Sequence, residues 1–336
     1  MTTARRPKIV VTHWIHDDVA QQVARLGEPV LNQTRETLDP AELRRRCSDA
    51  DALVVFMPDA LDNAFLAACP RLQIVSAALK GFDNFDVAAC TRRGVWFTIV
   101  PDLLTEPTAD LAMGLLLALT RNILAGDREV RSGRFGGWRP VLYGAGLSGA
   151  TAGIVGFGQL GQALARRLAA FGASIIYNDA RESVPPHETG HRSLEQLLGE
   201  ADFVFTLLPL TPQTQHLFDA AALSRMKRGS YLVNCGRGSL VDEGAIAQAL
   251  RDGHLAGYAA DVFEMEDWAR ADRPRAVTSA LLDPTLNTVF TPHLGSAVDS
   301  VRREIARQAV DRIEEWVKGE RPRHAVNDVR GRAFSP

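Results

Sequence analysis

The apolar positions of the chain gather into short runs separated by longer amphipathic stretches. "KIVVTH" (8–13), "ALVVFM" (52–57) and "QIVSAAL" (73–79) are rich in β-branched residues and carry few polar ones, which predicts short buried strands. Between them, "DDVAQQVARLG" and "DPAELRRRC" space their apolar residues as helices do. Asp39 followed by Pro40 is a good helix start, an acceptor cap with proline at the first helical position. Strands alternating with helices predict a parallel α/β architecture.

The stretch "VPDLLTEPTADLAMGLLLALTRNI" (100–123) predicts one long helix, opened by Pro107 and Thr108 and apolar on more than one face. Such a helix needs cover on several sides, from a core or from a second subunit. It reads as the crossing from one domain into the next. Residues 124–149 are rich in Gly and Arg and hold Trp138 and Tyr143, which predicts a long surface connection. From 151 a second α/β series begins, with strand-like runs in "TAGIVGFG", "SIIYND", "DFVFTLLPL", "SYLVNCG", "LAGYAADVF" and "NTVFTPHLG". The closing "SVRREIARQAVDRIEEWVKG" is an amphipathic helix that stops at a glycine.

Length supports two domains, since 336 residues exceed the comfortable size of one core. A formal net charge of -2 leaves no basic footprint for nucleic acid, and Arg44, Arg45 and Arg46 read as a solvated helix face. The four cysteines form no C-x-x-C pair, which excludes a zinc knuckle or redox dithiol of that type and fits a reducing compartment. "MTTARRPKIVVTH" lacks the apolar core of a signal peptide, and "LAMGLLLALT" falls short of the roughly 20 residues a membrane span needs. The expectation is a cytoplasmic protein with no membrane partner. His13 and His16 lack a third ligand at metal-site spacing, and His187, His191, His216, His254 and His324 sit in polar or helical surroundings that suit structural or solvent roles. No metal is expected.

The strongest local chemistry is "GIVGFGQLGQALARRL". Gly156, Gly158 and Gly161 form G-x-G-x-x-G between a β-branched strand and a helix. The spacing allows a tight turn, a close approach of pyrophosphate to the backbone, and dense helix–strand packing. The pyrophosphate would rest on the helix N-terminus. Asp179 ends the next strand, where an acid can bind the ribose hydroxyls and repel the extra phosphate of NADP, so NAD is the expected cofactor. Arg181 stands near enough to soften that preference. Cofactor contacts are expected along Gly156, Phe157, Gly158, Gln159, Leu160 and Gly161, at Asp179, and at later strand ends from Pro209, Cys235 and Asp261. Arg237, Glu266 and His293 also follow strands of this series. Singly they read as a surface ion-pairing arginine, a solvated acid and a strand-end histidine. Together beside a dinucleotide they are an anion binder, a base, and a carboxylate that orients and charges the base.

G-x-G-x-x-G, "NCGRGSLVDEGAIAQAL", "DVFEMED" and "TPHLGS" resemble the signatures of the D-2-hydroxyacid dehydrogenases, over nearly the whole chain from about Lys8 to the last helix. The resemblance implies two doubly wound parallel sheets, with a Rossmann NAD-binding domain (104–298) inserted into a flavodoxin-like substrate domain. The substrate domain would comprise 1–103 and a C-terminal helix in 299–336. It also implies a homodimer built largely on the 100–123 helix, with Arg237, Glu266 and His293 as the catalytic set. Within the family, "ALKGFDNFDV", "FMPD", "VPDLLTEPTA" and "DVFEMEDWARADRPR" are similar to the phosphite (phosphonate) dehydrogenases, which oxidise phosphite to phosphate with NAD.

That branch gives Lys80 a purpose. Phosphite near neutral pH is largely a dianion, and burying its second charge unpartnered would cost several kcal/mol. Lys80 and Gly81, with Arg237, Arg302 and Met57, are the expected substrate residues. Trp138 and Tyr143 would close the site, from the partner subunit in a dimer. His293 would activate water as the nucleophile. An exposed loop lysine is the plain alternative for Lys80. The alternative activity is oxidation of a 2-hydroxy acid or reduction of a 2-keto acid. A non-enzymatic NAD-sensing corepressor on the same fold is a third possibility.

Overall fold

The computed structural model describes residues 5–180 and 190–329, so Arg181 and His187 lie outside the described part. The chain divides into two compact units. One contains residues up to Leu104 and from Ala297 onward, and the other spans Thr105–Ser296.

The first unit holds β1 (Lys8–Val11), β2 (Glu28–Leu31), β3 (Ala52–Val55), β4 (Ile74–Ala77) and β5 (Trp96–Thr98). They form one parallel sheet in the order β2-β1-β3-β4-β5, the flavodoxin-like winding. β3 and β4 are buried at every position because alternate side chains enter two different cores. Ala52, Val54 and Ile74 pack with Ile305, Ala309, Ile313 and Trp316 of the C-terminal helix Asp299–Val317. Leu53, Val55 and Val75 pack on the opposite face with Leu43, Phe65 and Phe97. Each such fully buried aliphatic side chain contributes about 1.5–3 kcal/mol. The Ser76 hydroxyl donates to the Ala309 carbonyl at 2.7 Å, a polar tie between the sheet and the returning helix.

The second unit adds β6 (Thr151–Val155), β7 (Ser174–Asn178), β8 (Gly190–His191), β9 (Phe203–Thr206), β10 (Ser230–Asn234), β11 (Leu255–Ala260) and β12 (Thr288–Phe290). Their order is β12-β11-β10-β9-β6-β7-β8, parallel throughout. The winding reverses between β6 and β9, and such a switch point opens a crevice at the carboxyl ends of the strands.

The expected 100–123 helix is corrected in length and in placement. It runs over Thr105–Thr120, and the chain then bends by 63° into a second helix, Ile123–Arg131. Asn122, in a left-handed conformation at φ 51°, makes the break. Ala109, Ala112, Leu116 and Leu119 lie in one core with Ile154, Leu164 and Ala259. The cover that its many-sided hydrophobicity demands therefore comes from its own unit. Exposed apolar side chains occur further on, at Ile123, Leu124, Val130, Phe135, Trp138, Val141, Leu142 and Tyr143. Among the described residues no single helix is long and apolar enough to cross a membrane.

Candidate active site

At the carboxyl end of β6 the backbone turns through Gly156, whose φ of 98° suits glycine. A Cβ on Gly161 would stand 2.4 Å from the Gly156 carbonyl oxygen, so that position admits only glycine without a shift. The helix Gln159–Ala170 begins at Gly158, which has no side chain with which to cap it. A helix start of this kind suits an anion, because its first N–H groups lack intrahelical acceptors. Asp179, just past β7, accepts the Phe157 N–H at 2.8 Å and so fixes the glycine loop. Phe157 stacks on Tyr177 with ring centroids 4.1 Å apart.

Three further strands deliver the other chemistry of this unit. Arg237 follows β10, with Nη1 donating to the Gly236 carbonyl and its own carbonyl accepting from Asn234 Nδ2, both at 2.9 Å. Glu266 closes a 3-10 turn, Glu264–Glu266, after β11. His293 follows β12. Its Nδ1 lies 2.7 Å from Glu266 Oε2, while Glu266 Oε1 accepts the Phe263 N–H at 2.9 Å. With Nδ1 engaged by the carboxylate, Nε2 is the ring atom available for proton transfer. Histidine and glutamate side chains are each 27% exposed, so the pair is reachable by a small substrate yet partly desolvated.

His293 adopts a left-handed φ of 57°. Asp261, almost fully buried at the end of β11, holds that loop. Its Oδ1 accepts the Thr291 hydroxyl and the Leu294 N–H, both at 2.6 Å, and its Oδ2 accepts the Gly295 N–H at 2.8 Å. Burial pushes the Asp261 carboxyl up, against the hydrogen bonds and the His293 charge that pull it down. Asp261, expected as a cofactor contact, thus has a structural task within the chain. Cys235 is buried, and burial drives its thiol pKa upward, which keeps it neutral. Pro209 is exposed, with its carbonyl accepting from Thr214 Oγ1 at 2.8 Å.

In the first unit, Lys80 and Gly81 are partly buried just beyond β4. Burial lowers the Lys80 pKa, with the Asp102 charge opposing. Met57 follows β3 and packs beside the Leu53–Phe97 core. Arg302 occupies the first turns of the C-terminal helix with Cζ 5.7 Å from the Phe56 ring centroid, and burial lowers its pKa. Neither His13 nor Asp59 is among the site residues expected from the sequence. Asp59 accepts the Thr12 hydroxyl at 2.5 Å and the Phe56 N–H at 2.7 Å, and lies 3.5 Å from His13 Nε2. Trp138 and Tyr143 are 81% and 77% exposed, so the chain itself does not bury them. Also unforeseen is a buried polar network of Ser239, Glu243, Glu264 and Arg270 beside the Glu266 turn. Its sequence signals are the two quoted segments that hold it, "NCGRGSLVDEGAIAQAL" with Ser239 and Glu243, and "DVFEMEDWARADRPR" with Glu264 and Arg270.

Residues 113–295 match the family described as D-isomer specific 2-hydroxyacid dehydrogenase, NAD binding domain. A glyoxylate reductase from Thermococcus litoralis is 36% identical over 330 residues, covering 96% of this chain and 97% of that protein. A Thermus thermophilus structure superposes with a TM-score of 0.86 at 35% identity, over 95% of this chain and all (100%) of the other. An NADPH-dependent glyoxylate/hydroxypyruvate reductase from Sinorhizobium meliloti, solved with NADP and malonate, gives 0.83 at 32% identity over 98% and 100%. None of these three names mentions phosphite.

Proposed function

Because the chain belongs to the D-isomer specific 2-hydroxyacid dehydrogenase family, we propose that it is the NAD-dependent oxidoreductase its second unit is built for, and that its substrate is phosphite. Lys80 carries the substrate choice. It is a partly buried ammonium at a strand end, held there despite the burial that disfavours its charge. A 2-hydroxy acid presents one negative charge, whereas phosphite presents two. Lysine supplies a compact point charge for the second.

The glycine loop at Gly156, Gly158 and Gly161, with Asp179, would hold NAD, and bound NAD would supply the hydride acceptor that oxidation of the P–H bond requires. The chain's residues do the rest. His293 Nε2 takes a proton from the water whose oxygen bonds to phosphorus, Glu266 orients the ring and stabilises its charge, and Arg237 and Lys80 hold the oxyanion. Phosphite, water and NAD thus give phosphate, NADH and a proton. Arg302 and Met57 complete the substrate residues. Asp179 supports NAD over NADP.

The relatives favour a second assignment, reduction of glyoxylate or another 2-oxo acid. There Arg237 would hold the carboxylate and His293 would give its proton to the carbonyl oxygen. NADH formation with phosphite, measured against a panel of 2-hydroxy acids, separates the two. We also propose a homodimer, formed through the exposed apolar segment 123–143 instead of the buried helix before it. A monomer mass by light scattering would refute this.

A further inference from the structure

We infer that Arg270 is a positioning residue for the reaction, a cation that locks the segment after Arg237 to the turn that carries Glu266. This inference rests on the functional proposal above, because it needs Glu266 to act through His293. The two segments meet backbone to backbone. A Cβ on Gly238 would stand 1.8 Å from the Phe263 carbonyl carbon and 2.2 Å from the Glu264 nitrogen, so only glycine permits the approach. Such closeness fixes a relative position only if something keeps the segments from sliding.

Arg270 spans that junction. Its Nη1 donates to the Ser239 hydroxyl at 2.6 Å and to Glu264 Oε2 at 3.0 Å. Ser239 stands two residues after Arg237, and Glu264 two residues before Glu266. Other bonds reinforce the seam. The Ser239 N–H donates to Asp267 Oδ2 at 2.7 Å, immediately beside Glu266. Glu264 and Glu243 exchange backbone-to-carboxylate bonds at 2.9 and 3.2 Å, and His216 Nε2 lies 2.9 Å from Glu264 Oε2. Two carboxylates so close and so buried repel, and burial pushes the Glu243 carboxyl upward. The Arg270 guanidinium offsets that repulsion where the two catalytic segments join. Asp272 holds the far edge of the guanidinium through Nε at 3.3 Å and Nη2 at 3.1 Å.

Arg270 itself is no donor to substrate in this scheme, so its removal should lower kcat and leave KM nearly unchanged. A displacement of about 1 Å at reacting groups costs up to about 100-fold, so Arg270→Met is expected to lower kcat by about 10- to 100-fold. Arg270→Lys should recover part of the loss. In a Glu266→Gln background the Arg270→Met effect should shrink to within about twofold, because groups that act as a unit are not additive. Amide hydrogen exchange over 237–240 and 263–267 should accelerate in Arg270→Met, a readout independent of turnover. If that variant fails to fold, Ser239→Ala breaks one of the same bonds while keeping the Ser239 backbone bond to Asp267, and should show both effects in smaller measure. Unchanged exchange, or rate factors that multiply fully in the double variant, would overturn the positioning role alone. A wild-type protein inactive on phosphite and on every 2-hydroxy acid would overturn the functional proposal, and the positioning role with it.

Discussion

Replacing Asp261 with Asn tests how the histidine loop is held. The carboxylate accepts three bonds, from the Thr291 hydroxyl, the Leu294 N–H and the Gly295 N–H, at a site almost closed to water. Asparagine is nearly the same size but offers one acceptor oxygen. With that oxygen kept toward Thr291 and Leu294, its amide group faces the Gly295 N–H, donor against donor. A buried donor left unpaired costs about 1–3 kcal/mol. For a cooperative unit of 150–250 residues each 1 kcal/mol moves Tm by about 2–4 °C, so a fall of roughly 2–12 °C is expected. Thr105–Ser296 is a unit of that size. The left-handed φ of His293 stores further strain, of order 1–3 kcal/mol, which the Asp261 bonds sustain. Once loosened, the ring should lose its register with Glu266, and kcat should fall by about 10- to 100-fold. Thermal unfolding and steady-state kinetics measure both. A Tm within 1 °C, as an order-of-magnitude threshold, together with unchanged kcat, would refute the view that this carboxylate organises the loop.

Other outcomes follow from the same geometry. His293→Ala should abolish turnover while NADH affinity, read by fluorescence titration, stays nearly constant, and Glu266→Gln should reduce kcat less severely; equal losses would argue against the assigned roles. Lys80→Ala should raise KM for phosphite by roughly 30-fold to several-thousand-fold, the equivalent of about 2–5 kcal/mol for a lost charged contact, and a change within about twofold would make Lys80 an ordinary loop lysine. Burial lowers the Lys80 pKa, and the charged form exists below that value, so KM for phosphite should rise with pH at a point below the usual lysine range. Lys80→Arg should move that rise to higher pH. Asp179→Ala should improve catalytic efficiency with NADP, and equal use of NAD and NADP by the unaltered protein would contradict the role given to Asp179.

The strands and glycine turn were legible because their signals are local. β-branched runs, a helix start and a G-x-G-x-x-G fall within a few residues of one another, and the parallel winding follows from their alternation. β2 is hard to see because it is a short edge strand that contains Pro29 and carries little apolar pattern. β5 is only three residues long, and its apolar run "VWFTIV" merges into the one that leads to the following helix. Hydropathy continues past Thr120 and so predicts too long a helix after residue 100, whereas the break depends on one left-handed residue, Asn122. Among the site residues, Glu266 and His293 were visible as strand-end side chains in recurring motifs. Asp261 and Arg270 were harder to assign. Their importance lies in bonds to residues far along the chain, Gly295 and Ser239, which no periodicity encodes.

The central claim is the substrate. Initial rates of NADH formation from NAD should be recorded with phosphite and, separately, with glycolate, D-lactate and related 2-hydroxy acids, with glyoxylate-dependent NADH consumption as the reverse arm. Phosphite turnover at a kcat/KM above that of every 2-hydroxy acid is the predicted result. Efficient glyoxylate reduction with no phosphite oxidation would contradict the claim and place the chain with the glyoxylate reductases it is similar to.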